Sequence, residues 1–378
     1  MYVDYNKDYI NKINTFNMRF VIITKQELQK IPPLISVAYI LNDLGHSVHI
    51  ISCGITDRIR EELSKRGITS EEFEFVKAKK WYNKIIEYSK FRYCVNKRLK
   101  TLQFDFLWIE AGYTIRALGN IINEYKYILQ LSELHEGSKS QLKAIGKIIN
   151  KAQLVFMPEY NRTCIYRAWF RLEKSPIVLP NKPYYLPSHD SLEQIKVKYT
   201  EKLSVFYNSK VILFQGRITE DRDLSFFARA VNKLGNDYRL VLMGSYTELV
   251  EKYKALCPSL IHIDFVTPPD YLLFTSLCHI GIISYNPIIL NNAFCAPNKI
   301  YEYSAYGKPI LGNNIPGLKV LEYNGFGAII DEYDTQSIID GIKVIEADYN
   351  AFSNNAVDFF QKCRNDITIK HALTSLMG

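Results

Sequence analysis

Short apolar runs recur along this chain, each divided from the next by a stretch long enough for one helix. Residues 19–24, 46–52, 104–109, 127–131, 154–157 and 177–179 follow this spacing, and Pro32-Pro33 opens an amphipathic stretch that stops at Gly45. A run that is apolar throughout suits a strand buried on both faces, and strands alternating with helices make a parallel sheet. The polar segment 188–202 breaks the rhythm and is predicted as a linker. The rhythm then restarts. Residues 211–215, 238–243, 261–265, 280–284, 309–311 and 328–330 read as strands, and Leu224, Phe227, Ala228, Val231 and Leu234 keep helical spacing up to Gly235. The expectation is an α/β fold of two doubly wound domains in tandem. Ligands of such sheets sit at the carboxyl ends of the strands, where two facing domains would enclose a cleft.

The 378 residues, 47% hydrophobic and 23% charged, are too many for one average domain and exclude a disordered or collagen-like chain. No window approaches the roughly 18 apolar residues of a spanning helix, and residues 1–17 hold no apolar stretch of the kind that directs secretion. Seven cysteines, an odd number with no Cys-x-x-Cys pair, suggest neither a disulfide framework nor a zinc site. His46 and His49 fall on opposite faces of their strand, which argues against a metal there. A cytoplasmic location is expected.

The formal charge of +8 is unevenly placed. Residues 1–190 carry 29 Lys and Arg against 19 Asp and Glu, whereas residues 191–378 carry 18 against 20. A basic half points to nucleic acid, an anionic membrane surface or an acidic substrate. Its densest run is 77–100, with nine Lys and Arg opposed only by Glu87, and no nucleic-acid module signature accompanies it. Within that run Trp81, Ile85, Tyr88, Phe91 and Val95 recur at helical spacing. A helix here would carry an apolar stripe flanked by cations, suited either to the domain core or to an anionic membrane surface.

Chemistry concentrates in two stretches of the second half. In 291–309, Pro297 suits the first helical position, Gly307 the left-handed position after the last turn, and Pro309 cannot continue a helix. A helix start offers free N–H groups to an anion, Lys299 adds a full charge, and Glu302 one turn on is placed to accept sugar hydroxyls. A surface Lys299–Glu302 ion pair is the plain alternative. In 214–222 a strand runs into Gly216, which permits close backbone approach, and Arg217 and Arg222 can both reach an anion held over the turn. Asp221 and Asp223 read as helix capping rather than as a metal pair.

These residues carry a resemblance. Gly216-Arg217 with a base five positions on, Met243-Gly244 ending the next strand, and the run from Pro297 to Ile310 resemble the donor-binding half of the family-4 type glycosyltransferases of GT-B fold. Leu44-Gly45-His46 is similar to the approach to that fold's second strand, and Pro180-Asn181-Lys182-Pro183 resembles the segment closing its acceptor domain. The resemblance implies two Rossmann-like domains facing across a cleft. Residues 1–190 would take the acceptor, 203–355 the nucleotide sugar, and 356–378 would form a helix returning to the first domain.

It further implies that Arg217, Arg222, Lys299 and the helix start hold the diphosphate of a nucleotide sugar, UDP above all, with Gly216, Gly244, Asn292, Pro297 and Asn298 lining the site and Glu302 on the ribose. His135 matches the histidine facing the donor sugar, so His135, Arg217 and Lys299 form the expected catalytic set. No metal or resident cofactor is implied. Glu110 and Glu136 are general-base candidates if the enzyme inverts. Two departures stand out. Arg222 replaces the usual lysine, and Phe294 occupies the position of a glutamate eight residues before Glu302, for which Asn291 or Asn292 would substitute.

The expected activity is metal-independent transfer of a sugar, with retention, to a glycan or lipid-linked glycan in surface polysaccharide or glycoconjugate synthesis. Residues 77–100 would approach the inner membrane face, and nucleic acid is not an expected partner. Two rival readings remain: a nucleotide-sugar epimerase of the same fold, and a catalytically silent subunit supporting a partner transferase.

Overall fold

The computed structural model describes residues 17–73 and 81–376. The chain divides into two compact units, Met1–Pro180 with Arg364–Gly378, and Asn181–Cys363.

In the first unit the apolar runs become β1 (Arg19–Ile23), β2 (Ser47–Ser52), β3 (Thr69–Glu72), β4 (Phe106–Glu110), β5 (Tyr127–Gln130), β6 (Leu154–Met157) and β7 (Ile177–Val178). They form one parallel sheet ordered β3-β2-β1-β4-β5-β6-β7. Helices cover the sheet, so β4 and β5 are buried at every residue and carry no polar alternation. The sequence of β3, Thr-Ser-Glu-Glu, gives no apolar signal because an edge strand keeps one side in water. Winding reverses between β1 and β4, where a doubly wound sheet opens a crevice at its carboxyl edge.

The second unit repeats the plan with β8 (Lys210–Gln215), β9 (Tyr238–Met243), β10 (Ile261–Ile263), β11 (Ile280–Ile283), β12 (Ile310–Asn313) and β13 (Gly327–Ile330), ordered β10-β9-β8-β11-β12-β13 and again parallel. Its reversal lies between β8 and β11, with Phe214 opposite Ile282.

The predicted linker at 188–202 is instead helical, part of His189–Asn208, which is kinked at Tyr199 and whose first turn is capped by Ser188 accepting from the Ser191 amide at 3.2 Å. Only Ile195, Leu203 and Phe206 of this helix are buried, a stripe too sparse to stand out beside so many charges. The tail also differs from one returning helix. Tyr349–Lys362 stays in the second unit, where Phe359 stacks on Phe326 at 4.5 Å, and only Asn365–Thr374 belongs to the first, with Asn365 donating to the Pro180 carbonyl at 2.8 Å.

The amphipathic stretch of the basic run is the helix Trp81–Leu99. Phe91 and Val95 are fully buried and Leu99 nearly so, within the core beneath the sheet, and Tyr88 packs against that core. Most of the stripe expected to meet a membrane is therefore core, because burying aromatic and branched side chains against the sheet removes far more apolar area from water than a surface contact would. Lys77, Lys79, Lys80 and the side chain of Trp81 lie outside the described residues.

Candidate functional site

The reversal between β8 and β11 gathers most of the residues read from the second half. Gly216 follows β8 with φ +137°, and a Cβ there would lie 2.9 Å from Lys299 Nζ and 3.8 Å from Arg222 Nη1. The glycine is required by its backbone angle, and its missing side chain lets Lys299 Nζ approach closely. Gly244, ending β9, is packed so closely that a Cβ would meet the Gly216 carbonyl at 2.0 Å.

Lys299 projects from the helix Asn298–Ala305. Pro297 precedes this helix in extended conformation rather than opening it, and the Lys308 amide closes its far end on Tyr303 at 3.0 Å. Arg222 comes from a short turn between Thr219 and Asp223. Its guanidinium lies 4.6 Å over the ring of Tyr285, directly beyond β11, and Lys299 Nζ lies 5.9 Å from the same ring and 5.7 Å from Phe214. Arg222 Nε is buried with no hydrogen-bond partner, and the carboxylate facing it, Asp221, stands 4.0 Å away. Burial, with the neighbouring Arg222 charge, lowers the pKa of Lys299 to about 8. Two cations held together without a tightly bound carboxylate make a site that gains from an anion.

Glu302 does not form the surface ion pair that its spacing from Lys299 allows. It turns inward, 6% exposed, where one oxygen accepts from the Tyr271 hydroxyl at 2.5 Å and the other from Gln215 Nε2 at 2.8 Å. Gln215 is itself oriented by Thr275, whose hydroxyl donates to Gln215 Oε1 at 2.7 Å. Burial raises the Glu302 pKa. A carboxylate so fixed still has lone pairs to offer a ligand hydroxyl.

Other predicted residues stand apart. Arg217 is exposed and takes no part in the cation pair. Asn292 spends its amide on the Asn286 carbonyl at 2.8 Å, clipping the loop before the site helix, and Asn298 opens that helix half-buried. Phe294 is half-buried at the end of the Leu290–Ala293 turn. Asp223 accepts from the Ser225 amide at 3.0 Å, but it sits one residue before Leu224, the N-cap of the helix Ser225–Leu234, so the capping expectation is not met at the cap itself.

In the first unit the corresponding reversal places Thr24 and Glu110 together, with the Thr24 hydroxyl donating to Glu110 Oε2 at 3.0 Å. Glu110 is 2% exposed and burial raises its pKa to about 7. The next residue, Ala111, has φ +62°, and His135, beyond β5, has φ +57°. Strain of this kind in non-glycine residues gathers at functional sites. His135 Nε2 accepts from the Gly112 amide at 3.4 Å, which places its proton on Nδ1, and burial lowers its pKa. Glu136 is half-buried on the same loop. His46 packs against Phe20 while His49 bonds Thr69 at 2.7 Å, and among the described residues no three His, Cys, Asp or Glu side chains gather to hold a metal.

Sequence reasoning missed Tyr285, Tyr271 and Thr275. Tyr285 alone had a visible signal, as the first residue beyond the apolar run 280–284.

Comparison with known proteins bears on the fold. Residues 209–348 match the family model of Glycosyl transferases group 1. By sequence, none of the curated proteins matches the chain. Among solved structures, Anabaena HepE in complex with UDP-glucose aligns over 96% of this chain and 100% of its own at 12% identity, with a TM-score of 0.68. A glycosyltransferase from Rickettsia africae aligns over 96% and 99% at 15% identity and a TM-score of 0.69. A UDP-N-acetylglucosamine 2-epimerase aligns over 95% and 96% at 13% identity and a TM-score of 0.63. The fold is GT-B, two Rossmann-like domains, and residues 209–348 are the part of it that matches the group 1 glycosyl transferase model.

Proposed function

We propose that this GT-B chain, whose residues 209–348 match the group 1 glycosyl transferase model, moves a sugar from a nucleotide diphosphate, UDP in the first instance, to a glycan or lipid-linked glycan. The observation carrying this reading is the pair Arg222 and Lys299 over Gly216, two cations with Asp221 no nearer to Arg222 than 4.0 Å, one helical turn from the fixed carboxylate of Glu302. The pair suits a diphosphate and Glu302 a ribose hydroxyl. Arg217, on an exposed arm beside them, would close over the phosphates. Departure of the sugar leaves growing charge on the diphosphate, and fixed cations aimed at that charge lower the barrier. Retention is the proposed outcome, and His135 is assigned to the reacting sugar. Synthesis of surface polysaccharide or glycoconjugate at the cytoplasmic membrane face suits the basic first half.

Titration calorimetry with UDP, GDP, CDP and dTDP tests the site. Binding of one of them at micromolar strength is expected, and binding of none overturns the reading. The epimerase alternative is favoured by the likeness to the 2-epimerase structure. It is distinguished by turnover of a donor sugar with no acceptor added.

A further inference from the structure

The helix Trp81–Leu99 presents two faces, and the fold uses only one. Tyr88, Phe91, Val95 and Leu99 pack inward, as described. On the outer side Ile86, Lys90, Tyr93, Lys97 and Lys100 follow one another at steps of four, three, four and three. Ile85, Ile86 and Tyr93 are 55%, 51% and 69% exposed. With Ser89, Lys90 and Cys94 they line a surface concavity of about 450 Å³. Three large apolar side chains in water on one helix are not required by the core and mark a contact surface.

Charge on this face has one sign. Glu87 is the single acidic residue of the helix, and it is turned inward, half-buried, in an ion pair with Lys25, which also lies 4.9 Å from the Tyr88 ring. Arg92 is held on the Ala117 carbonyl at 2.9 Å and Arg98 on Glu71 at 2.7 Å. Lys90, Lys97 and Lys100 are exposed, and among the described residues none has a carboxylate partner.

We propose that this outer face docks on the anionic surface of a lipid bilayer, Ile85, Ile86 and Tyr93 entering the headgroup boundary and Lys90, Lys97 and Lys100 meeting the phosphates. This rests on the lipid-linked acceptor of the proposed function. A second copy of the chain fits the face poorly, since a two-fold contact would set three lysines against three lysines with no acid between them. A nucleic acid would satisfy the lysines but leave the isoleucines in water. An interfacial helix needs both an apolar stripe and flanking cations, and this face supplies both.

The test is flotation of the full chain with vesicles of phosphatidylcholine alone and with about 30% phosphatidylglycerol, at about 0.05 M and about 0.5 M salt. The wild type is expected to float with the anionic vesicles at low salt, and much less at high salt or with neutral vesicles. The Lys90→Glu, Lys97→Glu, Lys100→Glu triple variant and the Ile86→Ser, Tyr93→Ser double variant should each lose about tenfold or more of this partition, with unchanged UDP affinity and melting temperature. Failure of the wild type to float with anionic vesicles overturns the proposal, as does wild-type flotation of either variant. So does a dimer in sedimentation velocity that the double variant dissolves. Calorimetry with UDP keeps the two readings apart: intact UDP binding without flotation overturns the docking alone, and flotation without nucleotide binding overturns the transferase reading alone.

Discussion

Arg222 stacks its guanidinium on the ring of Tyr285, 4.6 Å from the centroid, and Tyr285 is in turn held by Asn313, which accepts its amide at 3.1 Å and donates to its carbonyl at 2.9 Å. Asn313 is fully buried, so the backbone that carries the ring is held in place beside the cation pair. An aromatic face steadies a guanidinium without neutralising it, which leaves the charge available to a ligand.

Replacing this ring should therefore act on the diphosphate. Tyr285→Leu is expected to weaken UDP binding by on the order of 1 kcal/mol or more, the worth of a partly desolvated cation–π contact, whereas Tyr285→Phe keeps the ring and should keep the affinity. Calorimetry on both variants checks this. Equal losses in the two would assign the effect to the hydroxyl instead.

Lys299→Ala and Arg222→Ala should each cost roughly 1.5–3 kcal/mol of nucleotide diphosphate affinity, the range for hydrogen bonds to charged groups, with the fold intact. Arg217→Ala should cost less, under about 1 kcal/mol, because an exposed charge is screened by water. An order reversed in calorimetry would make Arg217 the principal phosphate contact.

Affinity for UDP should fall as pH rises through about 8. Lys299 loses its proton there in the free protein, while a bound diphosphate favours the charged form, so binding above that pH must take up a proton. Comparing binding heats in buffers of different ionisation enthalpy near pH 8.5 measures the uptake. Lys299→Met should abolish it.

Glu110 gives a stability signature. Its folded pKa of about 7 lies above the ordinary 4.5, so its contribution is fully present below about pH 4.5 and is lost as pH rises through about 7. Relative to Glu110→Gln, which does not titrate, the wild type should lose about 3 kcal/mol between pH 4.5 and pH 8, from the equivalence of about 1.4 kcal/mol per pKa unit. Denaturant melts of both proteins at the two pH values read this out.

His135→Ala should lower turnover much more than nucleotide affinity, since the proposed nucleotide site is built from residues of the second unit. Single-turnover rates at saturating donor separate the two effects. A normal rate in the variant would leave His135 as a cap on the Gly112 amide only.

Twelve strands and the doubly wound α/β class were legible in the sequence because each buried strand is an uninterrupted apolar run and each helix between them keeps its own spacing, whereas the strand order was not. Gly216, Gly307 and Pro309 were legible for the same reason: a left-handed turn or a helix stop is a local demand on one residue. What the sequence could not assign was partnership. Lys299 and Glu302 sit three residues apart and could have paired, yet Glu302 faces Tyr271 and Gln215 while Lys299 faces Arg222, 77 positions away. The apolar stripe of the basic helix could have faced lipid or core, and packing against the first sheet buried one side and left Ile85, Ile86 and Tyr93 on the other. Local preference is set by a residue and its near neighbours, so sequence determines it. Which charge meets which ring or carboxylate depends on strands that become neighbours only when the sheet reverses between β8 and β11, and that is decided by the tertiary structure alone.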